Sequence, residues 1–93
     1  MLGKEKLKIL RILTQAYVVE ILEALKTPKR FIELTKICKN ERTLTLRLKM
    51  LQEKGFITTI PVKDRGKFFN SYVLTDEGKK VLEFAKKIEN IKV

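Results

Sequence analysis

The feature that most restricts the fold of this chain is a change in the spacing of its apolar residues, at Gly55 and again at Thr75. Before Gly55 the apolar residues recur every three or four positions, which is the period of an amphipathic helix. The segments 56–62 and 68–74 are instead rich in β-branched and aromatic residues and too short for such a helix, so they predict two strands. After Thr75 the helical spacing returns. The pattern therefore predicts a mainly helical fold that contains one β-hairpin.

Caps and helix breakers bound these elements. Pro28 ends the first helical segment, Asn40 and Thr75 can cap the helices that follow them, and Gly55 can end a helix. The polar turn between the strands contains Gly66. The predicted elements are a helix over 4–26 with room for a break near Thr14, a short helix over 30–39, a helix of about fourteen residues after Asn40, strands over 56–62 and 68–74 around a turn at 63–67, and a helix from Thr75 to about Asn90.

The length and composition exclude several classes of protein. The 93 residues suffice for a single domain spanning 1–93, and the 44% of hydrophobic residues suffice for a small core. With no histidine and one cysteine, Cys38, the chain offers neither a disulfide nor a His/Cys metal site, and Cys38 falls on the apolar side of its helix, as a buried hydrophobe does. No catalytic set, phosphate-binding glycine loop, signal peptide or membrane span is recognisable. We expect a cytoplasmic binding protein without metal or cofactor; its lysine and isoleucine content is a feature of thermophilic sources.

The charge of the chain predicts a polyanionic partner. The 21 basic and 11 acidic residues give a formal net charge of +10. The excess lies mainly before residue 68, because residues 40–67 carry seven basic and three acidic groups whereas residues 68–93 carry five and four. A nucleic acid is the natural partner for such a surface. The alternative is a lysine-rich surface that only keeps the protein soluble.

Three segments carry a resemblance to a known family. Residues 29–34 read K-R-F-I-E-L, similar to R-F-N-E-L; residues 43–57 read T-L-T-L-R-L-K-M-L-Q-E-K-G-F-I, similar to T-L-S-x-R-L-x-x-L-x-x-x-G-L-I; and residues 72–78 read Y-V-L-T-D-E-G, similar to Y-x-L-T-x-x-G. In this order they resemble the winged helix-turn-helix regulators of the HxlR group and the related MarR-like and ArsR-like proteins. The resemblance covers residues 16–88. It implies a three-helix core, a two-stranded wing, a C-terminal helix, and a transcriptional regulator that binds double-stranded DNA.

The third helix of such a fold enters the major groove. If Leu44, Leu48 and Leu51 face the core, a turn of 100° per residue places the residues between them on the outer face. Leu46 could contact a thymine methyl group or be an ordinary exposed apolar residue, and Arg47 could reach a phosphate or a nearby carboxylate. The candidate DNA contacts on this helix are Arg42, Thr43, Thr45, Leu46, Arg47 and Lys49.

Basic residues outside this helix are further candidates. Lys63, Arg65 and Lys67 in the turn could project into a minor groove or along the backbone, or serve solubility alone. Lys29 and Arg30 begin the preceding helix, where they suit a phosphate or a solvated helix end equally. The aromatic residues of the second strand are expected to pack the hairpin onto the helices, although a base-stacking platform is the alternative; they are Phe68, Phe69 and Tyr72.

Apolar residues near both ends exceed what one core can bury, which predicts a homodimer. The terminal helices, about 2–15 and 76–91, would pack against their copies. The resulting dimer would bind an inverted repeat with half-sites about one helical turn apart. These residues could instead pack within the monomer. The candidates are Leu2, Ile9, Ile12, Phe84, Ile88 and Ile91. A winged helix that binds RNA, single strands or a protein partner is the alternative function, but the basic outer helix and wing favour duplex DNA.

Overall fold

The helices and strands follow one another in the predicted order in the computed structural model, which describes residues 3–89. A core of three helices is followed by an antiparallel hairpin, the wing, and by a C-terminal helix, as predicted. An additional helix precedes the core. The elements are α1 (Lys4–Leu13), α2 (Val18–Ala24), α3 (Phe31–Leu34), α4 (Glu41–Glu53), β1 (Ile57–Asp64), β2 (Lys67–Leu74) and α5 (Asp76–Glu89).

The first predicted helix is two helices, separated in the region where the sequence left room for a break. Helix α1 ends at Leu13, and Tyr17, just before α2, has a φ of 71°. This left-handed conformation cannot continue a right-handed helix. The turn lets α1 leave the direction of α2 while Ile12 still reaches the core.

Helix α3 is shorter than predicted. The expected helix over 30–39 keeps helical geometry only from Phe31 to Leu34 and then continues as a turn. The amides of Lys36 and Ile37 bond to carbonyl groups three residues back, and the Thr35 hydroxyl donates to the Ile32 carbonyl, so the chain tightens instead of extending the α-helix. The side of this segment that was predicted to face the core does so, because Leu34 and Cys38 are fully buried.

Helix α4 begins and ends at the predicted residues. The Asn40 side chain accepts a hydrogen bond from the Thr43 amide at 3.0 Å, which satisfies a free donor of the first turn. At the other end Gly55 has a φ of 78°, and the amide of Phe56 bonds back to the Leu51 carbonyl. This is the left-handed glycine termination that directs the chain out of a helix and, here, into β1.

The turn of the wing has two residues where five were expected. Strands β1 and β2 pair in register from Ile57 with Leu74 to Asp64 with Lys67. Only Arg65 and Gly66 lie between them, and both have positive φ, which is the geometry of a type I′ turn. The strands therefore extend to the tip of the wing.

The core lies between α2, α4, the base of the wing and α5. Thr75 lies between β2 and α5. Its hydroxyl accepts a hydrogen bond from the Gly78 amide at 3.0 Å and donates one to the Gly55 carbonyl at 2.6 Å. The predicted cap of α5 thus also ties that helix to the end of α4. The largest fully buried side chains of the described residues are Val18, Ile21, Leu22, Leu25, Leu34, Cys38, Leu44, Leu48 and Leu51.

Candidate nucleic-acid interface

The outer face of α4 is exposed as predicted. Burial of Leu44, Leu48 and Leu51 on the inner side fixes the rotation of the helix. Leu46 is 53% exposed, although leucine is ordinarily buried. Thr43 is half-buried beside its capping partner Asn40. The exposed candidates of this face are Arg42, Thr45, Leu46 and Lys49.

Arg47 has a partner that the sequence did not indicate. Its Nε donates to the carbonyl of Ala16 at 3.1 Å, in the turn between α1 and α2. The side chain is half-buried there and bonds to backbone rather than to a carboxylate. The contact gives the Ala16 carbonyl a hydrogen-bond donor and joins the turn between α1 and α2 to α4. A phosphate contact by Arg47 stays a prediction.

The three basic residues of the wing do not project together. Cross-strand partners share one face of a hairpin and successive residues alternate between faces. Lys63 pairs with Phe68 on one face, and its Nζ lies 5.9 Å from the centre of that ring. Lys67 pairs with Asp64 on the other face, and Arg65 occupies the tip. If the wing entered a groove of a nucleic acid, Lys63 would therefore face one wall of the groove and Lys67 the other.

The aromatic residues of β2 have separate surroundings, so the expectation that all three pack the hairpin onto the helices is wrong for one of them. Tyr72 packs against the core and Phe69 is half-buried. Phe68, near the tip, is 68% exposed because its face of the wing extends beyond the helices. Phe68 is thus an exposed apolar side chain beside Lys63.

Arg30 and Lys29 attach the wing to the helical core. The backbone of Lys29 forms a β-bridge with Tyr72, with N–O distances of 2.9 and 2.7 Å. The Arg30 guanidinium lies 2.7 Å from the Asp64 carboxylate and 3.7 Å from the centre of the Phe69 ring. Asp64 was not predicted as a site residue, and since it is 34 positions from Arg30, no local sequence signal could reveal the pair.

Some basic side chains that lie away from α4 and the wing form ion pairs at the contact between α2 and α5. Glu23 accepts from Lys26 at 2.7 Å and from Lys86 at 3.2 Å, which links α2 to α5. The hydrogen bond from Lys26 holds the pKa of Glu23 below its usual value, and the same bond raises the pKa of Lys26. These cations are locally compensated, whereas those on the outer face of α4 have no ion pair within residues 3–89.

The faces of α1 and α5 leave apolar grooves between them. Ile9 and Phe84 are half-buried in one groove of about 210 Å³, and Ile88 lines a second of about 150 Å³ with Leu10. Leu7 is 48% exposed on α1 and was not predicted. Of the other predicted interface residues, Ile12 must be withdrawn, because it is 8% exposed within the monomer's own core; Leu2 and Ile91 lie outside the described residues.

Across residues 3–89 no helix combines the length and apolar character needed to span a bilayer. The same part of the chain brings together no group of three or more potential metal ligands. Cys38 is fully buried, with its Sγ 3.5 Å from the Asn40 carbonyl oxygen. This position agrees with its predicted role as a small core residue.

Comparison with known proteins gives this geometry a context. A family model described as HxlR-like helix-turn-helix matches residues 10–92. No curated protein is similar enough to count as a relative. The transcriptional regulator YodB from B. subtilis, in its reduced form, is 20% identical with a TM-score of 0.82, covering 97% of this chain and 90% of that one. A MarR-family transcriptional regulator from Enterococcus faecalis V583 is 19% identical with a TM-score of 0.78, covering 97% and 86%. At these identities the two structures show the shared fold.

Proposed function

The chain belongs to the HxlR-like helix-turn-helix family of DNA-binding transcriptional regulators, which are not enzymes, and from this premise we propose how it binds its operator. Helix α4 lies in the major groove of duplex DNA, and the wing lies on the adjacent minor groove or backbone. The observation that carries the proposal is the outer face of α4, which holds Arg42, Thr45, Leu46 and Lys49 exposed in a rigid, doubly capped helix. Side chains of these types can contact guanine edges, phosphates and thymine methyl groups.

Recognition and positioning are assigned to different residues. Arg65, at the narrow tip of the wing, suits the electronegative minor groove, where arginine is the preferred side chain. Arg42 and Lys49 suit base edges in the major groove. Lys63 and Lys67 supply phosphate contacts on the two faces of the wing. Sequence specificity then depends on α4, while the wing adds affinity and fixes the orientation.

Alanine substitutions can separate these roles. We expect Arg65→Ala to weaken binding to all duplexes similarly, whereas Arg42→Ala and Lys49→Ala should also change the relative affinity for different sequences, since a lost base contact costs about 1 to 3 kcal/mol. The measurement is selection of fragments from a random duplex pool, followed by competition among the selected and altered sites. Lys87→Ala, on the exposed side of α5, is the control. Equal weakening on every duplex by all three substitutions would show that α4 does not read bases.

One observation favours a second candidate, the binding of single strands. Phe68 is 68% exposed with Lys63 above its ring, an arrangement on which an unpaired base could stack. A single strand of the selected sequence should compete poorly with the duplex if the main proposal holds. Stronger competition by the single strand, lost in Phe68→Ala, would favour the stacking function.

We further propose that the protein acts as a homodimer through α1 and α5. Phe84 and Ile88 are four residues apart, so they lie on one stripe of α5, and each borders one of the two apolar grooves against α1. A second copy related by a two-fold axis could cover both grooves. Two copies of α4 would then meet successive major grooves on one side of an inverted repeat.

A charge placed in this stripe should break the dimer. We expect Phe84→Glu to raise the dimer dissociation constant at least about tenfold, because a buried unpaired carboxylate would have to be desolvated. Sedimentation equilibrium of the wild type, Phe84→Glu and the control Lys79→Glu, which is exposed on another side of α5, provides the comparison, with circular dichroism to show that each is folded. A wild type that is monomeric at micromolar concentration excludes the dimer, whereas an unaffected Phe84→Glu dimer excludes this interface.

A further inference from the structure

The wing is held to the helical core at two levels. At its base, the Lys29–Tyr72 bridge joins β2 to the segment before α3. Near its tip, the side chain of Arg30 reaches Asp64, the last residue of β1 before the turn. The β-bridge fixes where the wing begins, but a two-stranded ribbon can still twist and bend beyond it. The contact between Arg30 and Asp64 therefore restrains the tip of the wing, where Arg65 lies.

Both the backbone and the side chain of Arg30 are restrained. The backbone amide of Arg30 donates to the Glu33 carboxylate at 3.1 Å, a contact that closes the first turn of α3. Its guanidinium then combines an ion pair of 2.7 Å to Asp64 with stacking at 3.7 Å on Phe69. A planar guanidinium can stack on the ring while its directional donors still reach the carboxylate, a combination that the compact ammonium group of lysine does not reproduce.

Asp64 is unusual in its position, because it is an acidic residue in the segment that should face DNA. It lies between Lys63 and Arg65 and opposite Lys67. A carboxylate at this place repels phosphate and, taken alone, should weaken binding. Its contact with Arg30 should strengthen binding, because a wing that is ordered before it meets DNA loses less conformational entropy when it binds.

We propose that Asp64 raises the affinity for DNA in spite of its negative charge, because its ion pair with Arg30 orders the wing, and that Arg30 is a positioning residue and not a phosphate ligand. The inference rests on the proposed function. It replaces the earlier alternatives for Arg30, a phosphate contact or a solvated helix end, with an internal role. It also explains why the position before the turn is acidic in a basic hairpin.

The sign of a single substitution tests the proposal. We expect Asp64→Asn to bind the selected duplex about three- to fivefold more weakly, which is the upper range for a partly exposed ion pair. Glu41→Gln removes the same charge at the exposed first turn of α4, where no ion pair is formed within residues 3–89, and should bind at least as tightly as the wild type. An affinity of Asp64→Asn equal to or above that of the wild type would overturn the proposal.

Salt dependence separates the two roles of Arg30. As a positioning residue, Arg30→Gln and Arg30→Lys should weaken binding to similar extents and leave the slope of log affinity against log salt unchanged. As a phosphate ligand, Arg30→Gln would lower that slope by about 0.9 while Arg30→Lys retained it, and this result would also overturn the proposal.

A measurement without DNA makes the inference independent of the proposed function. Amide ¹⁵N relaxation of the free protein should show lower order parameters for Arg65 and Gly66 in Asp64→Asn than in the wild type or Glu41→Gln. Unchanged order parameters would overturn the ordering role. If the wild type bound no duplex DNA at all, the proposed function would fail while these relaxation data still decided whether the contact orders the wing.

Discussion

We expect the affinity of one subunit for its half of a duplex DNA site to fall about a thousandfold between roughly 50 and 200 mM salt. Arg30 is left out of the count because of its proposed internal role, and Arg47, whose phosphate contact is a separate prediction, would add to the slope. The six basic side chains that are counted are Lys29, Arg42, Lys49, Lys63, Arg65 and Lys67. Each neutralised phosphate releases counterions and contributes about 0.9 to the slope of log affinity against log salt, so six give a slope of about 5 per subunit. A dimer with both subunits on DNA would approach twice that slope.

The slope can be traced to individual residues by titration of binding at several salt concentrations. The triple variant Lys63→Gln, Lys67→Gln, Arg65→Gln should lose about 0.9 for each residue removed. Lys87→Gln on α5, outside α4 and the wing, should leave the slope unchanged. An affinity that did not change with salt would contradict every nucleic-acid function considered above, because none of them avoids phosphate neutralisation.

Gly78→Ala is expected to lower the free energy of unfolding by about 2 to 3 kcal/mol, the upper part of the range of about 1 to 3 kcal/mol for overpacking a core. Alanine ordinarily stabilises a helix relative to glycine by about 1 kcal/mol, so the predicted sign is opposite to the helix propensity. The reason is that a Cβ at Gly78 would overlap the carbonyl group of Phe56 and lie 3.1 Å from Leu74 Cδ2. Backbone at the start of β1 cannot yield as a flexible side chain would, so α5 would have to move away.

Chemical denaturation with a matched control measures this effect. Lys79→Ala alters the next residue of α5, which is exposed, and should change stability by less than about 0.5 kcal/mol. For a domain of this size, the loss predicted for Gly78→Ala corresponds to a Tm lower by roughly 10 to 20 °C. A Gly78→Ala protein as stable as the wild type would show that α5 does not approach Phe56 closely, and would remove the reason given for the glycine in the Y-V-L-T-D-E-G segment.

The parts of the site that were predicted correctly depend on local signals. The exposed face of α4 follows from the leucine spacing, and the ends of α4 follow from Asn40 and Gly55, because a cap acts on amides or carbonyls within a few residues of itself. The start of α5 at Thr75 has the same origin. Arg42 and Lys49 could thus be placed on one surface before any tertiary contact was known.

The parts that were wrong depend on which elements meet. Ile12 has the same apolar character as Ile9, yet Ile12 is buried in the core whereas Ile9 packs against it only half-buried, because the turn at Tyr17 sets the direction of α1. Phe68 has the alternating pattern of a packed strand, but it is 68% exposed, and no helix within residues 3–89 covers it.

By itself the sequence determined the order of the elements, their caps, the basic wing and the residues on the outer face of α4, since periodicity and capping act over one or two turns of chain. Only the tertiary structure decided the partners of the basic residues. Arg30 meets Asp64 across 34 positions and Arg47 meets Ala16 across 31, while Gly78 lies against Phe56 because α5 packs on the base of the wing. The physical reason is that such contacts depend on how rigid elements pack on a common core, which the local conformational preferences of a residue do not specify.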